Sequence, residues 1–550
     1  MRSLLLLTVL PFALDPCASS DSGKADALDR PADVVVLTGA DLPALDGADP
    51  ALLAAFRWDG ADAWHQVPLQ IDERNVVAWP DVYGGVPTPW PEPLTAADTT
   101  LAWCDPETFV GADPDAGFDA DDELALAASD AGERAPADAA LPAGALAMDA
   151  LELRLKDPVA NGVGWIYLFR QNGSLDPAAG VDYVEYQFEL GSGLSYLDSY
   201  AILNSPNPEV SIAESPGIWR AGFSDRFIFD SLWIMDGAPG AADLLDRHRL
   251  ASEAPTCARS EDTFCGYGSD FAYGAFLANV DGPVRAIRSV CGANSGVETQ
   301  RDVIFQARRI ETYTRIRVHP LAPFEDVLDL SPAALGMRLF APWAAKGVTL
   351  DGDPASPAGD DPTPPNKAPT WEVVTGDEGT FAVSHVLVSD QPNLKVVTEY
   401  ADDLAPDPLP CTGDEFAIGA FGLRFANELE NTDPRLVDEF GVLRTLVHSR
   451  AIFVEPTTSP GGLEADDASA LGKLRHKQHA KPIQVTTQPF GPAAPPGVIG
   501  GPGPKAQAGA PPSRAEDRAW KSARSFERPP AWLVELARRL GRALWLVLAS

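Results

Sequence analysis

The chain has 550 residues, of which 45% are hydrophobic, and a formal net charge of −37. It is longer than one hydrophobic core usually serves, so we expect two or more domains. A charge this negative argues against nucleic-acid binding. The 51 prolines and 46 glycines indicate many turns, which favours an all-β protein over a helical one.

Residues 1–20 predict a secretory signal peptide. A single arginine, Arg2, precedes an apolar stretch that is followed by small residues. Cys17 could accept a lipid anchor, but Asp15 and Pro16 occupy positions where small residues are preferred, which argues against one. We therefore expect an exported protein that is periplasmic, bound to the outer surface or extracellular. In such an oxidising compartment, Cys257 and Cys265 are expected to form a disulfide.

Short alternating segments dominate the chain after the signal. Residues 32–148 predict an N-terminal β domain, and residues 149–455 predict a larger β-sandwich domain with segments such as ALELRLKD, GWIYLFRQ and DYVEYQFEL. Many strands with few helical stretches are typical of packed antiparallel sheets. The expected fold class is all-β, with two antiparallel β-sandwich units, the larger of which could be a supersandwich.

The C-terminal part differs in composition. Residues 456–528 are rich in proline and glycine and predict a disordered linker. Residues 529–550 place leucines at helical spacing with arginines between them, which predicts an amphipathic helix. Such a helix could contact a membrane surface or a partner. The alternative is a tail that packs against nothing.

The segment GADPDAGFDADDELALAASDAG is the most acidic part of the chain. Calcium requires several oxygen ligands from a flexible loop, and alternating aspartates with small residues supply them, although the spacing is not that of an EF-hand. The alternative is a solvated acidic turn in which the aspartates cap backbone N–H groups. The candidate calcium ligands are Asp113, Asp115, Asp119, Asp121, Asp122 and Glu123.

The segment RIETYTRIRVHP alternates β-branched residues with ionisable ones and predicts a strand. Its ionisable face belongs to a stretch rich in arginine within an acidic protein, and guanidinium groups bind carboxylates in a bidentate manner. We therefore expect Arg285, Arg288 and Asn294 to bind an anionic glycan. Lyase chemistry on a uronate requires charge neutralisation, a base and an acid. The candidate catalytic residues are Tyr313, Arg315, Arg317 and His319. The alternative is a solvated or inter-domain face with cross-strand ion pairs.

Two resemblances add to this interpretation. VPLQIDER, FDADDELALAASDAG and a strand ending in KDP together resemble a group of uncharacterised exported bacterial β-sandwich proteins over roughly residues 32–170. DGPVRAIRSVCGANSG with the charged strands after it is distantly similar to β-supersandwich domains of the galactose-mutarotase-like kind. The second resemblance implies a role connected with carbohydrates.

The sequence thus predicts an exported protein that binds or processes extracellular or surface glycan and is stabilised by calcium. Whether it turns over a substrate, by lyase-like or mutarotase-like chemistry, is left open by the residues. The alternative is a structural or cell-surface protein without a small-molecule site, in which the acidic and basic faces serve domain packing.

Overall fold

The computed structural model describes residues 27–84, 94–191, 209–226, 228–238, 242–252, 275–293, 296–316, 323–353, 369–389, 391, 393–404, 417–427, 436–457 and 461–491. Strands are far more frequent than helices in this part of the chain, as the alternating sequence predicts. The first half contains β1 Val34–Thr38, β2 Leu53–Trp58, β3 Trp64–Val67, β4 Gln70–Asp72, β5 Arg74–Ala78, helix α1 Trp79–Val82, β6 Thr99–Trp103, β7 Glu123–Ala127, β8 Leu151–Lys156, β9 Val163–Arg170, β10 Glu185–Gln187, β11 Ser211–Ser215, β12 Trp219–Asp225, β13 Ile228–Ile234 and β14 Leu245–Ser252.

The second half continues in the same way and adds one longer helix. It contains β15 Ala275–Val280, β16 Ala286–Ala293, β17 Gly296–Gln306, β18 Arg309–Ile316, β19 Phe324–Leu330, β20 Arg338–Phe340, β21 Val348–Thr349, β22 Trp371–Gly376, β23 Gly379–Ser389, β24 Val396–Asp403, β25 Ala417–Phe425, β26 Leu436–Val437, β27 Leu443–Arg444, β28 Leu446–Glu455, helix α2 Ala465–Ala480 and β29 Gln484–Pro489.

The smaller sandwich packs a three-stranded sheet, in the order β1-β7-β4, against a five-stranded sheet, in the order β29-β8-β9-β2-β3. Aliphatic side chains from both sheets form its core, among them Leu37, Leu126, Leu153 and Ile166. These side chains alternate along their strands with residues on the opposite face, and burying them supplies most of the favourable free energy of this unit.

The larger sandwich is built on a nine-stranded sheet, in the order β15-β16-β17-β18-β28-β23-β22-β20-β21. Two four-stranded sheets, β10-β11-β12-β13 and β14-β19-β25-β24, pack against it. The shared core contains Trp219, Phe305, Leu328, Phe381 and Phe421. The strand pairs within these sheets are antiparallel, so the prediction of an all-β sandwich fold is confirmed.

The expected boundary between residues 148 and 149 differs from the structure. β8 and β9 lie after that boundary, yet β9 pairs with β2 and completes the five-stranded sheet of the smaller sandwich. The smaller sandwich therefore extends to Arg170 and also takes in β29 from the C-terminal part. Sequence proximity suggested the division, but strand pairing in a sheet does not follow sequence proximity alone.

The predicted linker, residues 456–528, begins with ordered structure instead. α2 occupies Ala465–Ala480 and β29 occupies Gln484–Pro489. α2 lacks the apolar stripe by which surface helices are usually recognised, because its buried residues are small or polar. The segment ADDASALGKLRHKQHA therefore resembles solvated chain, although it is a helix in the fold.

Several predictions from the sequence lie outside the described residues: the signal peptide, the amphipathic helix at 529–550 and the Cys257–Cys265 disulfide. Cys104 and Cys291 are described, and both are free thiols. Among the described helices, none is long and apolar enough to cross a membrane.

Candidate functional site

Strand β18 contains most of the face that the sequence nominated as catalytic. It is a strand, as predicted, and it lies between β17 and β28 near the middle of the nine-stranded sheet. Every residue of β18 is buried, so the expectation that its ionisable face is open was wrong. Tyr313 is 8% exposed and Arg315 is 1% exposed, while Arg317 and His319 lie outside the described residues.

Arg315 is surrounded by groups of this chain. It pairs with Asp302 and Glu439, and its Nε lies 3.8 Å from Asp438 Oδ2. The guanidinium also stacks over the rings of Tyr313 and Phe440, at 4.9 and 4.7 Å. A buried arginine that already has carboxylate partners cannot take a ligand carboxylate without leaving those partners unpaired. Arg315 therefore acts in packing here.

The predicted anion-binding arginines are internal as well. Arg285 donates from Nε and Nη2 to Asp72 Oδ2, at 2.9 and 2.7 Å, and from Nη2 to Glu123 Oε2 at 2.5 Å. Arg288 pairs with Glu209, which is also buried. The expectation of an exposed basic surface was wrong at both positions, because acidic residues from other strands neutralise these arginines within the fold. Asn294 lies outside the described residues.

A different group of acidic side chains lies at the junction of three segments, and we call it the carboxylate cluster: Glu73, Asp113 and Asp122. Glu73 separates β4 from β5, Asp113 lies in the loop after β6, and Asp122 immediately precedes β7. One carboxylate oxygen of each residue lies within 4.8 Å of the other two. Backbone hydrogen bonds fix two of them: Asp122 accepts from the N–H groups of Arg74 and Asp119, at 2.9 and 2.8 Å, and Asp113 accepts from that of Asp115 at 3.0 Å.

The cluster concentrates negative charge in a partly buried place. Burial, Asp122 and Asp113 together raise the pKa of Glu73 to about 8. Burial and the same carboxylates raise the pKa of the Cys104 thiol to about 12. Among the described residues, Glu73 Oε2 and Asp113 Oδ2 are buried oxygens to which no group outside the cluster donates a hydrogen bond. Buried oxygens of this kind usually have a partner, and hard divalent cations bind such oxygens.

The neighbouring cation, Arg74, is directed elsewhere. Its Nε donates to the carbonyl oxygen of Asp121 at 2.5 Å, and its Nη1 lies 2.9 Å from Glu123 Oε1. Burial alone would raise the pKa of Glu123, but Arg74 and Arg285 lower it to about 2. Glu123 is therefore an ion-pair partner and not an available metal ligand.

The six predicted calcium ligands thus do not form one site. Asp113 and Asp122 belong to the carboxylate cluster. The side chains of Asp115 and Asp119 accept from the backbone N–H groups of Gly117 and Asp121, at 3.2 and 3.1 Å, which is the turn-capping alternative. Asp121 lies beside Asp119, and burial together with that carboxylate raises its pKa to about 6.

Glu73 was not among the predicted ligands, although the strand register brings it there. β4 pairs with β7 so that Asp72 lies opposite Glu123. Glu73 therefore follows β4 where Asp122 precedes β7, and the two residues meet at one end of the strand pair. The VPLQIDER and FDADDELAL segments would have indicated this meeting only if their pairing were known.

A buried histidine network also lay beyond the sequence analysis. His248 Nε2 and His448 Nδ1 lie 2.7 and 2.8 Å from the two carboxylate oxygens of Asp326. His448 Nε2 lies 3.0 Å from His385 Nδ1, and His385 Nε2 lies 3.0 Å from Glu372 Oε2. Burial lowers the pKa of His448 to about 4, so this imidazole is neutral at pH 7.

The opposite face of the same sheet carries a second polar network beneath α2. His479 Nε2 lies 3.1 Å from Glu311 Oε1, and its Nδ1 lies 2.9 Å from Ser384 Oγ. Ser449 donates to Glu311 Oε1 at 2.6 Å, and Arg309 pairs with Glu311. Helix α2 and this network cover the part of the β18 face formed by Glu311.

No protein-family model matches the chain, and no curated protein matches it. Among solved structures, it is similar to a candidate aldose 1-epimerase from Escherichia coli K12, with 14% identity and a TM-score of 0.24 over 44% of this chain and 96% of that one. It is also similar to a GalM/aldose epimerase homologue from C. elegans, with 10% identity and a TM-score of 0.25 over 44% of this chain and 97% of that one. Both names agree with the galactose-mutarotase-like resemblance, but at such TM-scores the likeness carries no argument about function.

Proposed function

We propose that this is an exported, calcium-stabilised β-sandwich protein that binds glycan. The observation that supports the calcium part is the carboxylate cluster of Glu73, Asp113 and Asp122, with oxygens within 4.8 Å of one another. A calcium ion takes about 6–8 oxygen ligands, so the three carboxylates would supply part of its shell, and water or backbone carbonyls would supply the rest.

The ion would act structurally. It would join the turn between β4 and β5, the loop after β6 and the start of β7, which belong to different parts of the N-terminal region. It would also offset the burial and the repulsion from Asp122 and Asp113 that raise the pKa of Glu73 to about 8. Export fits this role, because extracellular modules commonly bind calcium with dissociation constants of about 10⁻⁴–10⁻³ M.

The calcium part is tested by thermal unfolding with calcium and with a chelator. We expect calcium to raise the unfolding midpoint of the wild-type protein, because an ion that binds only the folded state stabilises it. Asp113→Asn should abolish the shift. Asp115→Asn is the matched control, because Asp115 lies in the same loop but is exposed and outside the cluster. An identical midpoint with calcium and with chelator would remove the ion from the proposal.

The glycan part rests on the resemblance of the DGPVRAIRSVCGANSG segment and not on the buried arginines. Binding is favoured over lyase turnover, because Tyr313 and Arg315 are both buried. A panel of anionic and neutral polysaccharides, followed for binding and for absorbance of unsaturated products, tests both. We expect binding without unsaturated products.

The second candidate is a structural or cell-surface protein without a small-molecule site. A specific observation favours it: Arg285, Arg288 and Arg315 all form buried ion pairs between segments of the chain. If the protein is folded and retains none of the polysaccharides, this candidate replaces glycan binding, whatever the result with calcium.

A further inference from the structure

Helix α2 packs on the nine-stranded sheet with limited apolar surface: Ala468 is buried in a core cluster, and Ala465 and Leu471 pack against that cluster while partly exposed. Its buried residues are Ala468, Gly472, Gln478 and His479. Gly472 lies so close to the indole of Trp371 that an added Cβ would come within 2.1 Å of Cε3. Hydrophobic stabilisation scales with the apolar area removed from water, and alanine and glycine provide little of it. Polar contacts therefore add to this limited apolar contact in holding α2 on the sheet.

Two histidines provide the central polar contacts. His476 Nδ1 lies 3.1 Å from Ser384 Oγ, and His479 Nδ1 lies 2.9 Å from the same hydroxyl. His479 Nε2 also contacts Glu311 Oε1 and Ser449 Oγ, at 3.1 and 2.8 Å. Two imidazoles thus share one serine hydroxyl beneath the helix, and His479 is buried.

The carboxylates near these imidazoles already have arginine partners, so they can stabilise little additional positive charge on the imidazoles. On β18, Glu311 is already paired with Arg309, which also pairs with Asp33. On β28, Glu455 is held by Arg475 of α2 itself. His385 of β23 lies close enough to oppose further positive charge.

The N-terminal segment adds another cation next to the helix. Arg30 donates to the Gln478 carbonyl oxygen at 3.0 Å and pairs with Asp33. Glu311 could compensate one imidazolium, but a second would face the first. Two charged imidazoles that share one hydroxyl, with His479 buried and His476 partly buried, repel each other and are unfavourable.

We propose that α2 is an acid-released latch, which is docked while His476 and His479 are neutral and leaves the sheet when both are protonated, uncovering Ser384, Ser449 and Glu311. Release would open the face of β18 that is closed at neutral pH. The latch does not depend on calcium, because it shares no residue with the carboxylate cluster.

The direction of the pH dependence follows from burial. Burial lowers the pKa of His479, and burial together with His479 and His385 lowers the pKa of His476. In a released helix both imidazoles meet water and return to a pKa of about 6.5. The released state therefore binds protons first, so docking is complete above about pH 6.5 and is lost as the pH falls below it.

Hydrogen exchange of the full chain at pH 7 and pH 5 tests the latch, with rates corrected for intrinsic exchange. We expect protection of α2 to fall by about tenfold or more at pH 5, because the released helix takes up protons that the docked helix excludes. Strands β8 and β9 should keep their protection. Unchanged protection of α2 would overturn the proposal, as would a loss that proceeds in step with β8 and β9.

Variants then assign the response to the two histidines. His476→Gln/His479→Gln keeps hydrogen-bonding groups without titration, so α2 should be equally protected at both pH values. The matched control is His65→Gln, at an exposed position on β3, which should respond as the wild-type protein does. If α2 is already released at pH 7 in the double variant, the single variant His476→Gln is tested instead, and its α2 should lose less protection at pH 5 than α2 of the wild-type protein. A response equal to that of the wild-type protein would overturn the proposal.

Discussion

Glu73 carries the proton that the proposed calcium ion would displace. With a pKa of about 8, its carboxyl is mostly protonated at pH 7, whereas a calcium ligand must be ionised. Calcium binding at pH 7 should therefore release close to one proton per ion. Isothermal titration calorimetry in two buffers of different ionisation enthalpy measures that number directly.

The same residue provides the matching variants. Glu73→Gln should bind calcium more weakly and release no proton, while Asp115→Asn should behave as the wild-type protein. Equal heats in the two buffers for the wild-type protein would contradict the assigned protonation of Glu73. Raising the pH through 8 should also strengthen calcium binding, because the ligand is then already ionised.

A substitution at Arg315 tests whether this arginine stabilises the fold or binds a ligand. Its partner Asp302 is buried and has no other cation among the ion pairs of the described residues, so Arg315→Met would leave that carboxylate unpaired, whereas Asp438 would keep Arg444. Removing one partner of a buried ion pair typically costs about 3–5 kcal/mol. We expect a loss of that order in urea unfolding, whereas Arg220→Met, at an exposed position, should change little. Equal stability of the two variants would contradict the packing role.

Strand β18 shows what could be predicted at the scale of an element. Its alternation correctly predicted a strand, because a period of two follows from backbone geometry. The burial of its charged face could not be predicted, because some of the acids that neutralise it come from distant segments, such as Asp33 and Glu439. Charged residues along a strand indicate a solvent-exposed face only when no other part of the fold supplies oppositely charged partners.

Helix α2 was missed for a related physical reason. Sequence patterns identify helices by an apolar stripe. α2 instead packs on the sheet through histidine contacts and through Gly472, where the absence of a side chain allows close approach to Trp371. Gly472→Val should therefore destabilise the docked helix, since overpacking usually costs about 1–3 kcal/mol. Ala470→Val is the control, because it adds the same β-branched residue at an exposed position of the same helix.

Hydrogen exchange of α2 at pH 7 separates these two variants. We expect Gly472→Val to lower the protection of α2, because its side chain would meet the Trp371 indole, whereas Ala470→Val should change it little. If both variants protect α2 equally, the close approach of Gly472 to Trp371 is not important for docking.

For the whole molecule, the sequence predicted the all-β sandwich class but not which separated segments of the chain join in one sheet. Alternation is local and reports a strand without its neighbours. The five-stranded sheet combines β2 and β3 with β8, β9 and β29, which come from three separated parts of the chain. The carboxylate cluster has the same origin, because Glu73 joins Asp113 and Asp122 only through strand pairing.

This topology makes the smaller sandwich depend on the C-terminal segment. β29 covers the outer edge of β8, and Phe490 packs edge-on against Tyr167 and Trp64, with ring centroids at 4.8 and 5.7 Å. A chain that ends at Ile483 lacks both contacts, whereas one that ends at Gly491 keeps them. Losing a buried phenylalanine alone typically costs about 3–5 kcal/mol.

We therefore expect the chain ending at Ile483 to unfold at lower urea concentration than the chain ending at Gly491, and β8 to lose hydrogen-exchange protection first. The free edge of β8 would also present unpaired backbone groups, which favours association between copies. Phe490→Ala in the full chain separates the two contributions, because it removes the ring and keeps the strand. Identical unfolding of the two truncated chains would mean that β29 does not contribute to the stability of the five-stranded sheet.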